Sequence, residues 1–142
     1  MTQRYNLLVI DDEQPILDEI KRYFEKREFA VETALSGEEG LEKLRKQPFD
    51  VALIDLCMPN SSKNGIDVIQ AIEDAGIPVS TAIITGHGDR NEAVAALNLG
   101  VQAWFDKASF KLEELYEAVK NLAQVIPEEK FEEFMTVLNQ KR

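Results

Sequence analysis

The chain contains few cysteines, histidines and basic residues for its length. Among its 142 residues there is one cysteine, Cys57, and one histidine, His87. A single cysteine excludes an internal disulfide and any metal site built from several cysteines. Lys and Arg total 16 against 26 Asp and Glu, which gives a formal net charge of -10. Because a phosphate backbone is bound by clustered basic residues, we expect no nucleic-acid surface on this chain.

Long hydrophobic runs are also missing. No apolar stretch approaches the roughly 20 residues that a membrane-spanning helix needs. The first residues enter a short apolar segment directly and lack the layout of a signal peptide. We therefore expect no membrane segment and a cytoplasmic location. The hydrophobic content of 44% is nevertheless enough for the core of one domain.

Short apolar runs alternate with amphipathic segments along most of the chain. The runs at 7–10, 51–54 and 82–84 are continuously apolar, as expected of strands covered on both faces, and 30–34 and 101–105 are two further strand candidates. The segments between them carry helix signals, including a Ser36–Glu39 capping box and an Asp89–Glu92 cap. This alternation predicts an α/β fold with a doubly wound, five-stranded parallel sheet and five helices.

We predict one domain over residues 1–125 and a C-terminal extension over residues 126–142. The extension has apolar residues at helical spacing, which predicts a sixth, amphipathic helix; they are Phe131, Phe134, Met135 and Leu138. This stripe either folds back onto the domain or pairs with a second copy as a homodimer. We prefer the partner-facing role.

Polar residues follow four of the predicted strands. Asp11 and Asp12 follow the first, Asp55 the third, Thr85 the fourth and Lys107 the fifth. In an open parallel sheet these positions share the carboxyl edge, where ligands bind. Three carboxylates at close range need a proton or a cation, and Mg²⁺ suits such an all-oxygen site. A buried Asp55, or one far from the N-terminal pair, would contradict this expectation.

A phosphoryl group is the ligand that this set of residues suits. Asp55 is the candidate nucleophile, because a carboxylate can accept a phosphoryl group as a mixed anhydride. Thr85 can donate its hydroxyl to a phosphoryl oxygen, and Lys107 can supply a point charge. Each residue also has an ordinary interpretation, such as an acidic helix start or a solvated lysine. Their matching positions at the strand ends favour a shared site.

These motifs resemble those of receiver domains from two-component response regulators. The resemblance rests on the acidic pair, Asp55 with Met58-Pro59 after it, Thr85-Gly86 and Lys107, and it covers residues 5 to 125. It implies the flavodoxin-like strand order 2-1-3-4-5. It also implies a phosphoacceptor rather than an enzyme, with at most self-catalysed phosphoryl transfer and autodephosphorylation.

The resemblance assigns a role to each site residue. Asp55 would take phosphate from a sensor histidine kinase or phosphotransfer protein. Asp11, Asp12, Asp55 and the main-chain carbonyl of Cys57 would hold Mg²⁺. Thr85 and Lys107 would bind the phosphoryl group.

Three further residues have roles implied by the resemblance. Trp104 occupies the position of a switch aromatic, whose movement would remodel a surface for a downstream protein or output domain. Cys57 and His87 occupy positions that tune phosphoryl lifetime. The ordinary alternatives are that Trp104 belongs to the core and that His87 is a loop residue.

The chain departs from the family at two places. Ala108 follows Lys107, where the family has a cis proline, and a cis bond before alanine costs about 3 kcal/mol. We expect either that strained bond or a rearranged loop, which leaves the reach of Lys107 open. The loop 60–64 is about two residues longer than usual, and it is a candidate for altered partner docking.

Two other functions stay open on the sequence. The first is a receiver-shaped scaffold that binds partners without phosphorylation. The second is a phosphatase or nucleotide-binding enzyme on a similar sheet. Against a haloacid-type phosphatase, Cys57 stands where that class has a second aspartate.

Overall fold

The computed structural model describes residues 5–86 and 90–124, together with residues 133, 136 and 137. Its sheet has five parallel strands in the order β2-β1-β3-β4-β5. The strands are β1 (Tyr5–Ile10), β2 (Phe29–Ala34), β3 (Val51–Ile54), β4 (Ser80–Thr85) and β5 (Ala103–Asp106). Every predicted strand and the predicted strand order are confirmed.

Helices cover both faces of this sheet. They are α1 (Gln14–Glu25), α2 (Gly37–Lys46), α3 (Gly65–Ala75), α4 (Arg90–Asn98) and α5 (Leu112–Gln124). One core cluster joins the sheet to buried residues of α2, α3 and α4, and a second joins it to α1 and α5. Strands β1, β3 and β4 lie between the two clusters, which explains why their sequences do not alternate.

Local signals in the sequence fix several helix ends. The Ser36 hydroxyl accepts a hydrogen bond from the Glu39 amide at 3.2 Å, as the capping box predicts. Helix α3 begins with a second capping box between Asn64 and Asp67, and it ends at Gly76 in the left-handed region (φ 64°). The predicted cap at Asp89 lies outside the described residues.

The strand register determines which loops meet. Ile10 of β1 pairs with Ile54 of β3, so Asp11 and Asp55 leave the sheet side by side. Thr85 of β4 pairs with Asp106 of β5, which places Lys107 beside the end of β4. The carboxyl edge of the sheet therefore brings Asp11, Asp55, Thr85 and Lys107 together.

Little of the predicted sixth helix belongs to the described part of the chain. Glu133, Thr136 and Val137 are helical and exposed. The four residues of its apolar stripe lie outside the described residues, and the dimer stays a prediction. Within the described ranges, no helix has the length and apolar character to span a membrane.

Candidate metal and phosphoryl site

Three carboxylates converge at the carboxyl edge of the sheet. Asp11, Asp12 and Asp55 each offer an oxygen, and these oxygens lie within 4.8 Å of one another. The predicted proximity is thus confirmed. The expected exposure of Asp55 is wrong, because that residue is only 1% exposed and Asp11 is 0% exposed.

Lys107 explains how two carboxylates are tolerated in this buried position. Its Nζ lies 2.8 Å from Asp11 Oδ2 and 2.9 Å from Asp55 Oδ2. Glu13 Oε2 lies 3.6 Å from the same Nζ. Buried charges persist when they are paired, so one cation here compensates a cluster of anions. The ammonium also covers the Asp55 oxygen that it contacts, which contributes to the burial of that side chain.

The turn after β5 shows how Lys107 reaches the site. No peptide bond in the described ranges is cis, so the bond to Ala108 is trans. The Ala108 amide donates to Asp106 Oδ1 at 2.8 Å, and the Phe110 amide donates to the Asp106 carbonyl at 2.9 Å. The Lys107 amide donates to the Thr85 carbonyl at 3.1 Å. These bonds form a turn that directs Lys107 into the site without a proline.

Burial and charge shift the pKa values of the cluster. Burial raises the pKa of Asp55 to about 6, because desolvation and the Asp11 charge outweigh the hydrogen bond from Lys107. Burial also raises the pKa of Asp11 above its usual range. For Lys107, burial lowers the pKa, but the hydrogen bonds to Asp11 and Asp55 outweigh it and the net shift is upward. Lys107 therefore stays charged, whereas the pKa of Asp55 lies well above the usual range of an aspartate.

The backbone around both buried carboxylates is tightly organised. The Glu13 amide donates to Asp11 Oδ1 at 2.9 Å, and the Cys57 amide donates to Asp55 Oδ1 at 3.2 Å. A Cβ at Gly65 would lie 2.4 Å from the Asp55 carbonyl oxygen. Only glycine therefore allows α3 to begin this close to Asp55.

A pocket of about 330 Å³ opens beside the carboxylates. Its lining comes from the four loops that follow β1, β3, β4 and β5, and it includes Asp12, Asp55, Cys57, Gly86 and Lys107. Although Asp55 is almost fully buried, its carboxylate thus borders a space that a ligand can enter. The thiol-bearing Cys57 is exposed at this rim.

The residues present fit Mg²⁺. The donors are carboxylate oxygens, which this hard cation prefers, and Mg²⁺ retains several waters when it binds. Because one water occupies about 30 Å³ of liquid volume, the pocket has room for a hydrated ion beside the three carboxylates.

Four residues that line the pocket were not predicted as site residues. They are Glu13, Pro59, Asn60 and Gly86. Glu13 follows the acidic pair directly, and its position at the start of the β1–α1 connection was the available signal. The positions of Pro59 and Asn60 depend on the path of the loop after β3, which no periodic pattern encodes.

Thr85 and Trp104 belong to the described strands, whereas His87 does not. Thr85 is buried at the end of β4, and its carbonyl accepts a hydrogen bond from the Lys107 amide. Trp104 is partly buried on β5 and packs against the core cluster on the α2, α3 and α4 face. His87 lies outside the described residues. The movements and roles predicted for these residues stay predictions.

Comparison with known proteins defines the class. The family model for the response regulator receiver domain matches residues 7–120. The chain therefore belongs to the response regulator receiver domain family of two-component systems.

Relatives of known name agree with this assignment. The acid tolerance regulatory protein ActR of Rhizobium meliloti is 37% identical over 102 residues, which are 72% of this chain and 52% of ActR. The photosynthetic apparatus regulatory protein RegA of Cereibacter sphaeroides is 32% identical over 102 residues, 72% of this chain and 54% of RegA. The chain thus spans about half the length of these curated relatives.

Solved structures show the same architecture. A CheY-like receiver domain protein from Methanospirillum hungatei superposes with a TM-score of 0.78 at 26% identity, covering 91% of this chain and 98% of that one. A receiver domain protein from Clostridium thermocellum gives a TM-score of 0.76 at 32% identity, covering 84% and 94%.

Proposed function

We propose that this chain is a phosphoacceptor receiver that is phosphorylated on Asp55 in a Mg²⁺-dependent reaction. The supporting observation is the cluster of Asp55, Asp11 and Asp12, in which the Lys107 ammonium forms ion pairs with Asp11 and Asp55. Receiver domains bind Mg²⁺ at an acidic cluster of this kind. Asp11, Asp12, Asp55 and the main-chain carbonyl of Cys57 would hold the ion.

The transfer itself needs positioning more than covalent help. A carboxylate oxygen of Asp55 would attack the phosphorus of a phosphohistidine that is protonated on its other ring nitrogen. The P–N bond breaks, an aspartyl phosphate forms, and the imidazole leaves as a neutral base that keeps this proton. Bound Mg²⁺ supplies compensation for the negative charge on the transferred oxygens. Although burial raises the pKa of Asp55 to about 6, this value still lies below neutral pH, so the nucleophilic, ionised form predominates there.

Lys107 would change partners during this reaction. Before transfer it bridges Asp11 and Asp55 at 2.8 and 2.9 Å. A phosphoryl group on Asp55 replaces one carboxylate charge with a dianion, which offers the ammonium a stronger partner. The Thr85 hydroxyl would bind another phosphoryl oxygen, and movement of Trp104 would carry the change to the protein surface.

The proposed partners follow from this chemistry. A histidine kinase or phosphotransfer protein would supply the phosphoryl group, and a downstream protein or output domain would read the changed surface. The relatives are about twice as long as the matched region. The activities of those full-length proteins are therefore only proposals for this chain. The same applies to a homodimer formed through residues 126–142.

Acetyl phosphate provides a direct test of phosphorylation. Incubation with acetyl phosphate and Mg²⁺ is expected to add the mass of one phosphoryl group to the intact protein. Asp55→Asn should abolish the added mass. Asp74→Asn, at an exposed position on α3, should leave the added mass unchanged. The absence of any addition to the wild type would instead favour a phosphorylation-independent scaffold, an alternative that the burial of Asp55 keeps open.

A further inference from the structure

The β3–α3 loop, residues 55–64, is attached to the first turn of α2. The Ser61 hydroxyl accepts a hydrogen bond from the Gly37 amide at 3.0 Å. It also lies 3.0 Å from Glu38 Oε1, and the Lys63 amide donates to the same carboxylate oxygen at 2.7 Å. Glu38 therefore contacts Ser61, Ser62 and Lys63, which lie more than 20 positions away in the chain.

The close approach of α2 to this loop depends on a glycine. A Cβ at Gly37 would lie 2.5 Å from the Lys63 carbonyl oxygen and 2.9 Å from Lys63 Cβ. Such distances would force the loop and the helix apart. The sequence of α2 thus provides both the space for the loop, at Gly37, and the acceptor that binds it, at Glu38.

The other part of the same loop forms one wall of the site. The Ser61 amide donates to the Met58 carbonyl at 3.0 Å, and Met58 is buried in the core. Cys57 and Asn60, on either side of Met58, line the pocket beside Asp55. The path of the backbone through the pocket wall is therefore held at Met58 on one side and at Ser61 on the other.

We propose that Glu38 is a positioning residue for the Mg²⁺ site, acting through Ser61 and the β3–α3 loop. This inference rests on the proposed function, because it assumes that the pocket beside Asp55 takes Mg²⁺. Glu38 does not bind the ion. It holds the loop in the conformation in which Cys57 and Asn60 border the carboxylates, so the site is formed before the ion arrives.

A simpler role for Glu38 is the interaction of its charge with the α2 dipole. Glu38 and Glu39 both lie in the first turn, where negative charge stabilises a helix. Glu38→Gln separates the two roles, because the amide oxygen still accepts from the Lys63 amide while the charge is lost. Glu38→Ala removes both the charge and the hydrogen-bond acceptor.

Mg²⁺ binding measured by titration calorimetry on the whole chain tests the inference. Loss of a hydrogen bond to a charged group should weaken Mg²⁺ binding about fivefold in Glu38→Ala and in Ser61→Ala. Glu38→Gln should bind Mg²⁺ nearly as well as the wild type. Glu42→Ala is the matched control, since Glu42 lies on the exposed side of α2 and pairs only with Lys46 in the described structure.

Hydrogen exchange gives a second readout that does not involve the metal. Without Mg²⁺, the Gly37 and Lys63 amides should exchange faster in Glu38→Ala than in Glu42→Ala, because their acceptors are lost or displaced. The double variant Glu38→Ala/Ser61→Ala should weaken Mg²⁺ binding by less than the sum of the two single effects, since the two side chains contact each other and both contact Lys63.

The outcomes distinguish this inference from the proposed function. If the wild type binds Mg²⁺ and is phosphorylated by acetyl phosphate, but Glu38→Ala and Ser61→Ala bind Mg²⁺ as the wild type does, the positioning role is wrong and the receiver function stands. If the wild type neither binds Mg²⁺ nor is phosphorylated, both are wrong. If Glu38→Ala does not fold, Ser61→Ala decides the question alone.

Discussion

The Lys107 ammonium lies between two buried carboxylates, and this arrangement makes its removal costly. In Lys107→Met the side chain keeps its length but leaves Asp11 and Asp55 without their cation. Breaking a buried ion pair from one side costs about 3 kcal/mol. We expect urea denaturation at neutral pH, without Mg²⁺, to show a loss of this order.

Two comparisons make the Lys107 prediction specific. Lys120→Met removes a half-exposed ion pair to Glu28 at 3.5 Å, and it should cost about 1 kcal/mol or less. Added Mg²⁺ should restore more stability to Lys107→Met than to the wild type, because the ion replaces the missing charge. Equal losses in the two lysine variants would contradict the electrostatic role given to Lys107.

The raised pKa of Asp55 predicts an unusual dependence of stability on pH. Its folded pKa is about 6 against an ordinary value of 3.8, so the folded state holds the proton more tightly than the unfolded state. The free energy of unfolding without Mg²⁺ should therefore fall as pH rises from about 4 to about 6, and then level off. The contribution from Asp55 is on the order of 3 kcal/mol.

Asp55→Asn removes this titrating group and should make the profile less steep, while the raised pKa of Asp11 leaves a residual slope of the same sign. Unfolding by urea at a series of pH values, for the wild type and Asp55→Asn, measures the difference directly. Parallel profiles for the two proteins would show that Asp55 does not titrate in this range.

At the scale of the elements, Gly65 sets how closely α3 approaches Asp55. A Cβ there would lie 2.4 Å from the Asp55 carbonyl oxygen and 2.7 Å from Leu56 Cα. Because these are backbone atoms, Gly65→Ala must shift α3 or the end of β3, at a cost of about 1 to 3 kcal/mol. We expect weaker Mg²⁺ binding in addition to lower stability.

Gly76→Ala is the matched control for this element. Gly76 ends α3 with φ 64° and has open space around its Cα, so alanine there is strained without touching the site. It should lower the melting temperature and leave Mg²⁺ affinity unchanged. A similar effect of both variants on Mg²⁺ binding would mean that stability alone, rather than the approach at Gly65, controls the site.

The elements also show what the sequence could and could not predict. Continuous apolar runs identified the central strands, because both faces of those strands are buried. Residues at strand ends were predicted to meet, since parallel strands share one carboxyl edge. The burial of Asp55 and the bridging position of Lys107 depend on side-chain packing between distant segments, and strand patterns contain no such information. The contact between Glu38 and Ser61 was missed for the same reason.

The described strands and helices pack into two core clusters, one on each face of the sheet. Both faces of the five-stranded sheet are covered by α1 to α5, which end at Gln124. A chain shortened to residues 1–125 should therefore melt cooperatively and should still accept a phosphoryl group from acetyl phosphate. Circular dichroism and intact mass check these two expectations, and loss of cooperative melting would show that residues 126–142 belong to the domain.

The same shortened chain tests the predicted dimer. Light scattering of the full chain should give the mass of two copies if the stripe predicted in residues 126–142 pairs between molecules, and the shortened chain should give the mass of one. An unchanged mass would contradict the dimer and would leave the receiver function unaffected.

The most direct measurement is identification of the residue that carries the phosphoryl group. Borohydride reduces an aspartyl phosphate to homoserine, and peptide sequencing by mass spectrometry then locates the reduced residue. After treatment with acetyl phosphate and Mg²⁺, we predict homoserine at position 55, and none when Mg²⁺ is removed by a chelator. Homoserine at another aspartate, or an unmodified Asp55 under conditions that phosphorylate the chain, would contradict the account.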